Sequence, residues 1–401
     1  MRDQKWSGGV YRKSRLNSSH LAGNPDTPDL PPARGCGISW VTVHPTAPAI
    51  LDALRGVRDP DLHKDIVTLG FIKNLVVDGG RVAFTIELTT PACPVKDQMR
   101  DQARDLVSRV PGVTDVQIEM TAAVRTSSIA EGNRQPVPGV KNVIAVGAGK
   151  GGVGKTTVAV NLAVALAQMG SRVAMIDGDI YGPNVPMMLG LDTQLVADEQ
   201  GRIIPAEAFG IQVVSMGFMT NDDSAVIWRG PMLHGAIQQF FRQVAWTDVD
   251  YLIVDLPPGT GDVALSLSQS VPVSGAIVVT TPQKVSLADT RRAVRMYQKL
   301  NIRTLGLIEN MSSFECPSCG VETDLFGRGA GEDLATDMSV PFLGRLPIYR
   351  PIRIGGDTGQ PIVVAEPDSA AARAFRAVAE QAAAQVSIAS YNRVIPLTPV
   401  R

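Results

Sequence analysis

Cys316 and Cys319 stand two residues apart in FECPSCG, a spacing that makes half of a tetrahedral site for a soft metal. A zinc ribbon would need a second C-x-x-C pair, and Cys36 and Cys93 stand alone. A zinc knuckle, a redox pair and two inert thiols remain as plain readings of the pair. A second constellation, VIAVGAGKGGVGKTT, places G-x-x-x-x-G-K-T at Gly149, Lys150, Gly151, Gly152, Val153, Gly154, Lys155 and Thr156. Glycines in such a loop let backbone N–H groups turn inward around phosphates. Lys155 then reaches the β- and γ-phosphates and the Thr156 hydroxyl ligates Mg²⁺. The N-terminus of the helix that follows adds partial positive charge. This is a nucleotide site, for ATP with Mg²⁺. YLIVDLPPGTGD ends an apolar run in Asp255, the acidic position that supports Mg²⁺ through water, with Gly259 placed to sense the γ-phosphate. IDGDIYGP sets Asp177 and Asp179 at the end of another strand, where a doubly wound sheet builds its sites.

The elements that hold these residues alternate. VIAVGA, RVAMID, YLIVDL, GAIVVTT and TLGLIEN are short and rich in β-branched residues, as strands buried on both faces should be. Helical segments such as TTVAVNLAVALAQMG and SLADTRRAVRMYQKL lie between them. The pattern predicts a doubly wound, mostly parallel α/β sheet over residues 142–387. A final helix falls at 370–386, then a tail at 388–401. Ahead of this lies a small α+β domain at 46–125. It has a helix near 49–57, strands FIKNLVVD and RVAFTIELTT joined through Gly79-Gly80, a helix at 94–110 and a closing strand TDVQIEM. Residues 126–141 read as a polar linker carrying two prolines, and residues 1–45 as a disordered extension.

Composition excludes several classes. A formal charge of -1 over 401 residues gives no basic field for nucleic acid or an anionic membrane. No apolar run is long enough to span a bilayer, and the first residues lack the apolar core of a secretory signal. Four cysteines make no disulfide scaffold, which predicts a reducing cytoplasm.

Lys150 follows the first glycine of the loop, and GKGGVGKT resembles the deviant phosphate loop of the MinD, ArsA and nitrogenase iron-protein class. The resemblance implies that this lysine crosses a dimer interface to the phosphates of the facing subunit, where a second cation spreads developing charge. It also implies that Asp179 orients or deprotonates the attacking water, with Asp177 structural. A face-to-face homodimer presents Cys316 and Cys319 twice, and four thiolates suit a [4Fe–4S] cluster.

GKGGVGKT, DGDIYGPNVP, WRGPML, DLPPGTGD and ENMSSFECPSCG, in this order over roughly 140–385, resemble the Mrp/ApbC family of P-loop iron–sulfur cluster carriers. That resemblance implies an ATPase dimer that takes a cluster from scaffold proteins and passes it to apoproteins. On the related ATPases it also implies that Asn310 contacts adenine. DPDLHKDIVTLGFI and TTPACP resemble the small domain of SufT-like assembly factors. Cys93 there is read two ways: a thiol with its pKa lowered by the helix starting at Pro94, or a buried small hydrophobe. Two rivals are a positioning ATPase of the MinD/ParA kind and a P-loop metabolic enzyme with a zinc-bridged dimer. The first lacks a membrane-anchoring helix, and for the second none of His20, His44, His63 and His234 lies beside the phosphate loop or the Cys pair.

Overall fold

A computed structural model describes residues 44–127, 134–179, 182–218, 230–259, 262–316 and 318–392. The extension up to residue 43, with Cys36, and the tail from 393 lie outside the described residues.

In the N-terminal part, α1 (Ala47–Leu54), β1 (Ile72–Asp78), β2 (Arg81–Leu88), α2 (Lys96–Ser108) and β3 (Asp115–Ala122) follow the order read from the sequence. Asp78 pairs with Arg81 around the Gly79-Gly80 turn, with Gly79 at φ +56°. A Cβ on Gly80 would stand 2.6 Å from the Thr114 hydroxyl, so both glycines are needed there. β2 runs antiparallel to β1 and parallel to β3. The helices close one face with Ile50, Leu54, Met99, Ala103 and Val107.

The larger part holds β4 (Val140–Ala148), α3 (Lys155–Gln168), β5 (Val173–Asp177), β6 (Val196–Ala197), β7 (Ile203–Ile204), β8 (Ala206–Ala208), β9 (Ile211–Ser215), β10 (Val249–Asp255), β11 (Gly275–Thr280), β12 (Thr304–Glu309), β13 (Phe314–Glu315), β14 (Glu322–Thr323) and β15 (Phe342–Arg345). Eight of these form one sheet in the order β15-β12-β11-β4-β10-β5-β9-β8, parallel throughout except for β8. Every residue of β5, β10, β11 and β12 is buried, which is why those runs are apolar without alternation. The C-terminal helix, Ala370–Asn392, extends beyond its expected end. Its Ala379, Ala382 and Ala383 share a core with Leu162 and Leu166 of α3, small residues letting the two helices approach closely.

The described part of the expected linker is fastened down. The Ser127 amide donates to the Asn142 side chain at 3.2 Å, Val137 is buried, and Arg242 donates to the carbonyls of Gln135 and Pro136. The described residues from 44 to 392 accordingly belong to one compact unit. Within it, the Tyr251 hydroxyl donates to the buried Thr90 hydroxyl at 3.1 Å, and Ala92 joins the core of the larger part. The Lys64 ammonium lies 4.9 Å from the centre of the Tyr391 ring. Among the described residues, no helix is long and apolar enough to cross a membrane.

Candidate functional site

The Gly149–Thr156 loop joins the end of β4 to the start of α3. Gly152 and Gly154 both have φ near +80°, a left-handed backbone that turns successive amides to one side. β10 lies beside β4 with Asp255 opposite Val146, which brings the acidic strand end under the loop. There the Lys155 ammonium donates to Asp255 Oδ1 at 2.6 Å and the Thr156 hydroxyl donates to Asp255 Oδ2 at 2.7 Å. Burial raises the Asp255 carboxyl above its ordinary pKa, against the lowering pull of Lys155, and the charge of Asp179 adds to the rise. The Gly259 amide donates to the Ala148 carbonyl at 3.1 Å, so the residue read as a γ-phosphate sensor borders the start of the loop. Lys150 is half-buried at the loop entrance and makes no ion pair among the described residues.

Asp177 faces Asp255 across the β5–β10 register. It accepts from the amides of Asp179 and Val185 at 3.2 Å each and from the Ser215 hydroxyl at 3.0 Å, a fully engaged carboxylate that braces the strand end. Burial, with Asp255 nearby, pushes its pKa up to about 7.

Asn310 lies at the end of β12 with its backbone amide on the Thr280 carbonyl, and its side chain donates to the Val153 carbonyl at 2.9 Å. The approach is close enough that a Cβ on Gly154 would stand 2.4 Å from the Asn310 amide nitrogen. Sequence reasoning assigned this side chain to adenine by resemblance and missed its contact with the phosphate loop itself. The chain then passes through Met311, held at φ +58°, into Ser312, whose amide donates to Leu346, and Ser313, whose carbonyl accepts from Ile348. It reaches Cys316 through β13.

Cys316 and Cys319 occupy the turn of the β13–β14 hairpin. The Cys316 amide donates to Val321 and its carbonyl accepts from Gly320. Hydrogen bonds from the amides of Ser318 and Cys319 hold the Cys316 thiol below its ordinary pKa, favouring the thiolate that a soft metal requires. Cys316 is half-buried and Cys319 exposed, with Val321, Leu325 and Phe326 exposed close by in sequence. Among the described residues no group of three or more Cys, His, Asp or Glu could hold a metal ion, so the pair has no third ligand of its own there.

Cys93 resolves in favour of burial. It is 8% exposed, and its thiol is pushed up to about 11, chiefly by desolvation. The lowered pKa expected from the following helix does not occur, because loss of water outweighs the helix start. Asp59 and Asp61 of the same small domain, and Glu380 of the C-terminal helix, add to the rise.

A glycine loop between a buried parallel strand and a helix, with the acidic end of a neighbouring strand beneath it, defines a P-loop NTPase. The chain belongs to the NUBPL iron-transfer P-loop NTPase family, whose model matches residues 139–383, and residues 48–120 match the iron–sulfur cluster assembly protein family. It is 50% identical to an iron–sulfur cluster carrier protein of Synechocystis, over 86% of this chain and 99% of the relative. It is 48% identical to an iron–sulfur cluster carrier protein of Deinococcus radiodurans, over 88% and 99% respectively. A chloroplastic Fe–S cluster assembly factor of Arabidopsis thaliana is 41% identical, over 82% of this chain and 62% of that one. Among solved structures, a nucleotide-binding protein of Archaeoglobus fulgidus in complex with ADP superposes with a TM-score of 0.51 at 36% identity, covering 58% of this chain and 91% of that chain.

Proposed function

We propose that the chain is an ATP-hydrolysing iron–sulfur cluster carrier. In this reading it works as a homodimer that holds a [4Fe–4S] cluster between two Cys316/Cys319 pairs. The cluster comes from scaffold proteins and is passed to apoproteins in a reducing cytoplasm. The observation that carries the proposal is a Cys pair with no third ligand of its own among the described residues, joined by a short strap to a phosphate loop. Two soft ligands per chain call for a second chain, and four thiolates complete the usual cluster set. The Archaeoglobus relative supports nucleotide binding, and the carrier relatives support the cargo.

In the hydrolytic cycle, Thr156 and Asp255, whose side chains already meet at 2.7 Å, would hold Mg²⁺, which would supply charge neutralisation on the phosphates. The loop amides from Gly149 to Thr156 cradle the phosphates, and Lys155 leaves Asp255 to meet them. Asp179 orients the attacking water, and Lys150 of the facing chain supplies the second cation. Asn310 borders the nucleotide from the adenine side. The ATPase domain (142–387) performs this work, and the small domain (46–125) serves the cargo. Anaerobic reconstitution with iron and sulfide tests the proposal. About four irons per pair of chains are expected, lost in the Cys316→Ser/Cys319→Ser double variant. Zinc alone, or a full cluster on the double variant, would overturn it.

A further inference from the structure

Cys316 borders a groove of about 940 Å³ between its hairpin and the body of the larger domain. That volume lies at the upper end of small-molecule sites, far more than a metal or a single anion fills. Its floor is apolar, with Ile348 and Ile354 among its lining. One polar group in its wall has no partner among the described residues: Ser312 is 2% exposed and its hydroxyl makes no hydrogen bond, whereas Arg345 is already paired with Glu309 and Glu332. A buried hydroxyl without a partner is costly, so Ser312 favours a guest that brings an acceptor. Two helices begin at the same groove, Arg350–Thr358 and Ala370–Asn392. The first has no side-chain cap, and its N-terminal end favours negative charge. Arg350 is exposed there and has no ion pair, unlike Arg328, which is paired with Glu322 at 3.1 Å. Glu315 lines the hairpin side, so an acidic end of the guest belongs beside Arg350 and its neutral part beside the cysteines.

We propose that this groove is the docking site for the acceptor: an extended, cysteine-bearing segment of an apoprotein, flanked by acidic residues. The proposal rests on the carrier reading above. The guest's backbone carbonyls and carboxylates accept from Ser312, Arg350 and the helix start, while its apolar side packs on Ile348 and Ile354. Its thiols then lie beside the Cys pair, so that cargo passes by ligand exchange. Each incoming thiol gives up a proton as its sulfur binds iron, each departing cysteine takes one up, and no electron changes hands.

The test uses a fluorescent eight-residue peptide with two cysteines separated by two glycines and flanked by glutamates. Binding to the cluster-free, reduced full chain is followed by anisotropy. Saturable binding is expected, weakened about tenfold or more by Arg350→Glu and by Ile354→Asp, and weakened by added salt. A peptide with serines in place of cysteines should bind similarly but remove no iron from the loaded chain. Equal binding to wild type and both variants would overturn the proposal. So would burial of the groove by a second copy of the chain, seen as slowed amide exchange at Ile352 and Arg353 on dimerisation without peptide. Iron stoichiometry of the same preparations tests the carrier reading separately, so failure of one is distinguishable from failure of the other.

Discussion

Asn310 donates its side-chain amide to the carbonyl of Val153, and only the strap from Met311 to Glu315 separates it from Cys316. The phosphate loop and the cysteine hairpin are thus joined by one short, anchored piece of backbone. Its one left-handed residue without glycine's freedom is Met311, a conformation that costs a methionine of order 1 kcal/mol. Movement of the loop around a phosphate is therefore expected at the cysteines. Alkylation of Cys316 and Cys319 should change about fivefold or more when a non-hydrolysable ATP analogue is added, the lower range of ordinary coupling. Asn310→Ala should remove that response, and Met311→Gly should blunt it while nucleotide still binds. An unchanged response in both variants would show that the signal travels elsewhere.

The two lysines of the loop should fail differently. Lys155→Ala is expected to weaken nucleotide binding and abolish turnover. Lys150→Ala should bind ATP nearly as wild type but hydrolyse it on the order of 10³-fold more slowly. Mixing Lys150→Ala with Asp179→Ala should restore part of the activity, since one composite site then carries both lesions and the other neither. Wild-type turnover by Lys150→Ala alone would end the trans-lysine idea.

Cys93 should be inert. With its thiol at about 11 against an ordinary 9.0, its thiolate fraction near neutral pH is roughly 100-fold reduced, before burial slows access further. Peptide mapping after brief alkylation should find Cys316 and Cys319 labelled and Cys93 untouched. Cys93→Ala should leave iron content at its wild-type level. Loss of half the iron would instead draw Cys93 into the cluster.

Asp177 gives the stability a pH dependence. Its pKa is raised from 3.8 to about 7 on folding, so the folded chain holds a proton that the unfolded chain has released. Stability from this group is fully present below about pH 4 and is lost as pH rises to about 7, with a ceiling of about 4 kcal/mol. Thermal unfolding without Mg²⁺ or nucleotide should show that decline in wild type and a flatter profile in Asp177→Asn. Parallel profiles would place the proton on another group.

The five strands visible in the sequence are β4, β5, β10, β11 and β12, which are neighbours at the centre of the sheet. Burial on both faces forces continuous apolar runs there, and such runs can be read. β8 and β15 lie at the edges, where short and half-covered strands leave weaker patterns. The motifs gave the site residues because their spacing is local. The Asn310–Val153 contact joins positions far apart in the chain, and no periodicity announces it. Cys93 was legible only as a choice, since its neighbours in sequence favour a helix start. What covers the thiol is folded over it from elsewhere.

The seam made by Tyr251, Thr90 and Ala92 lies one residue from that thiol in sequence, and it has a kinetic meaning. A buried nucleophile reacts only during excursions in which its cover lifts, so its observed rate is the open-state rate scaled by the open population. Each 1.4 kcal/mol holding the cover of Cys93 shut slows its reaction tenfold. The labelling rate of this one cysteine is therefore a free-energy gauge for opening of the small domain's own core, to which its side chain belongs, readable in the intact chain.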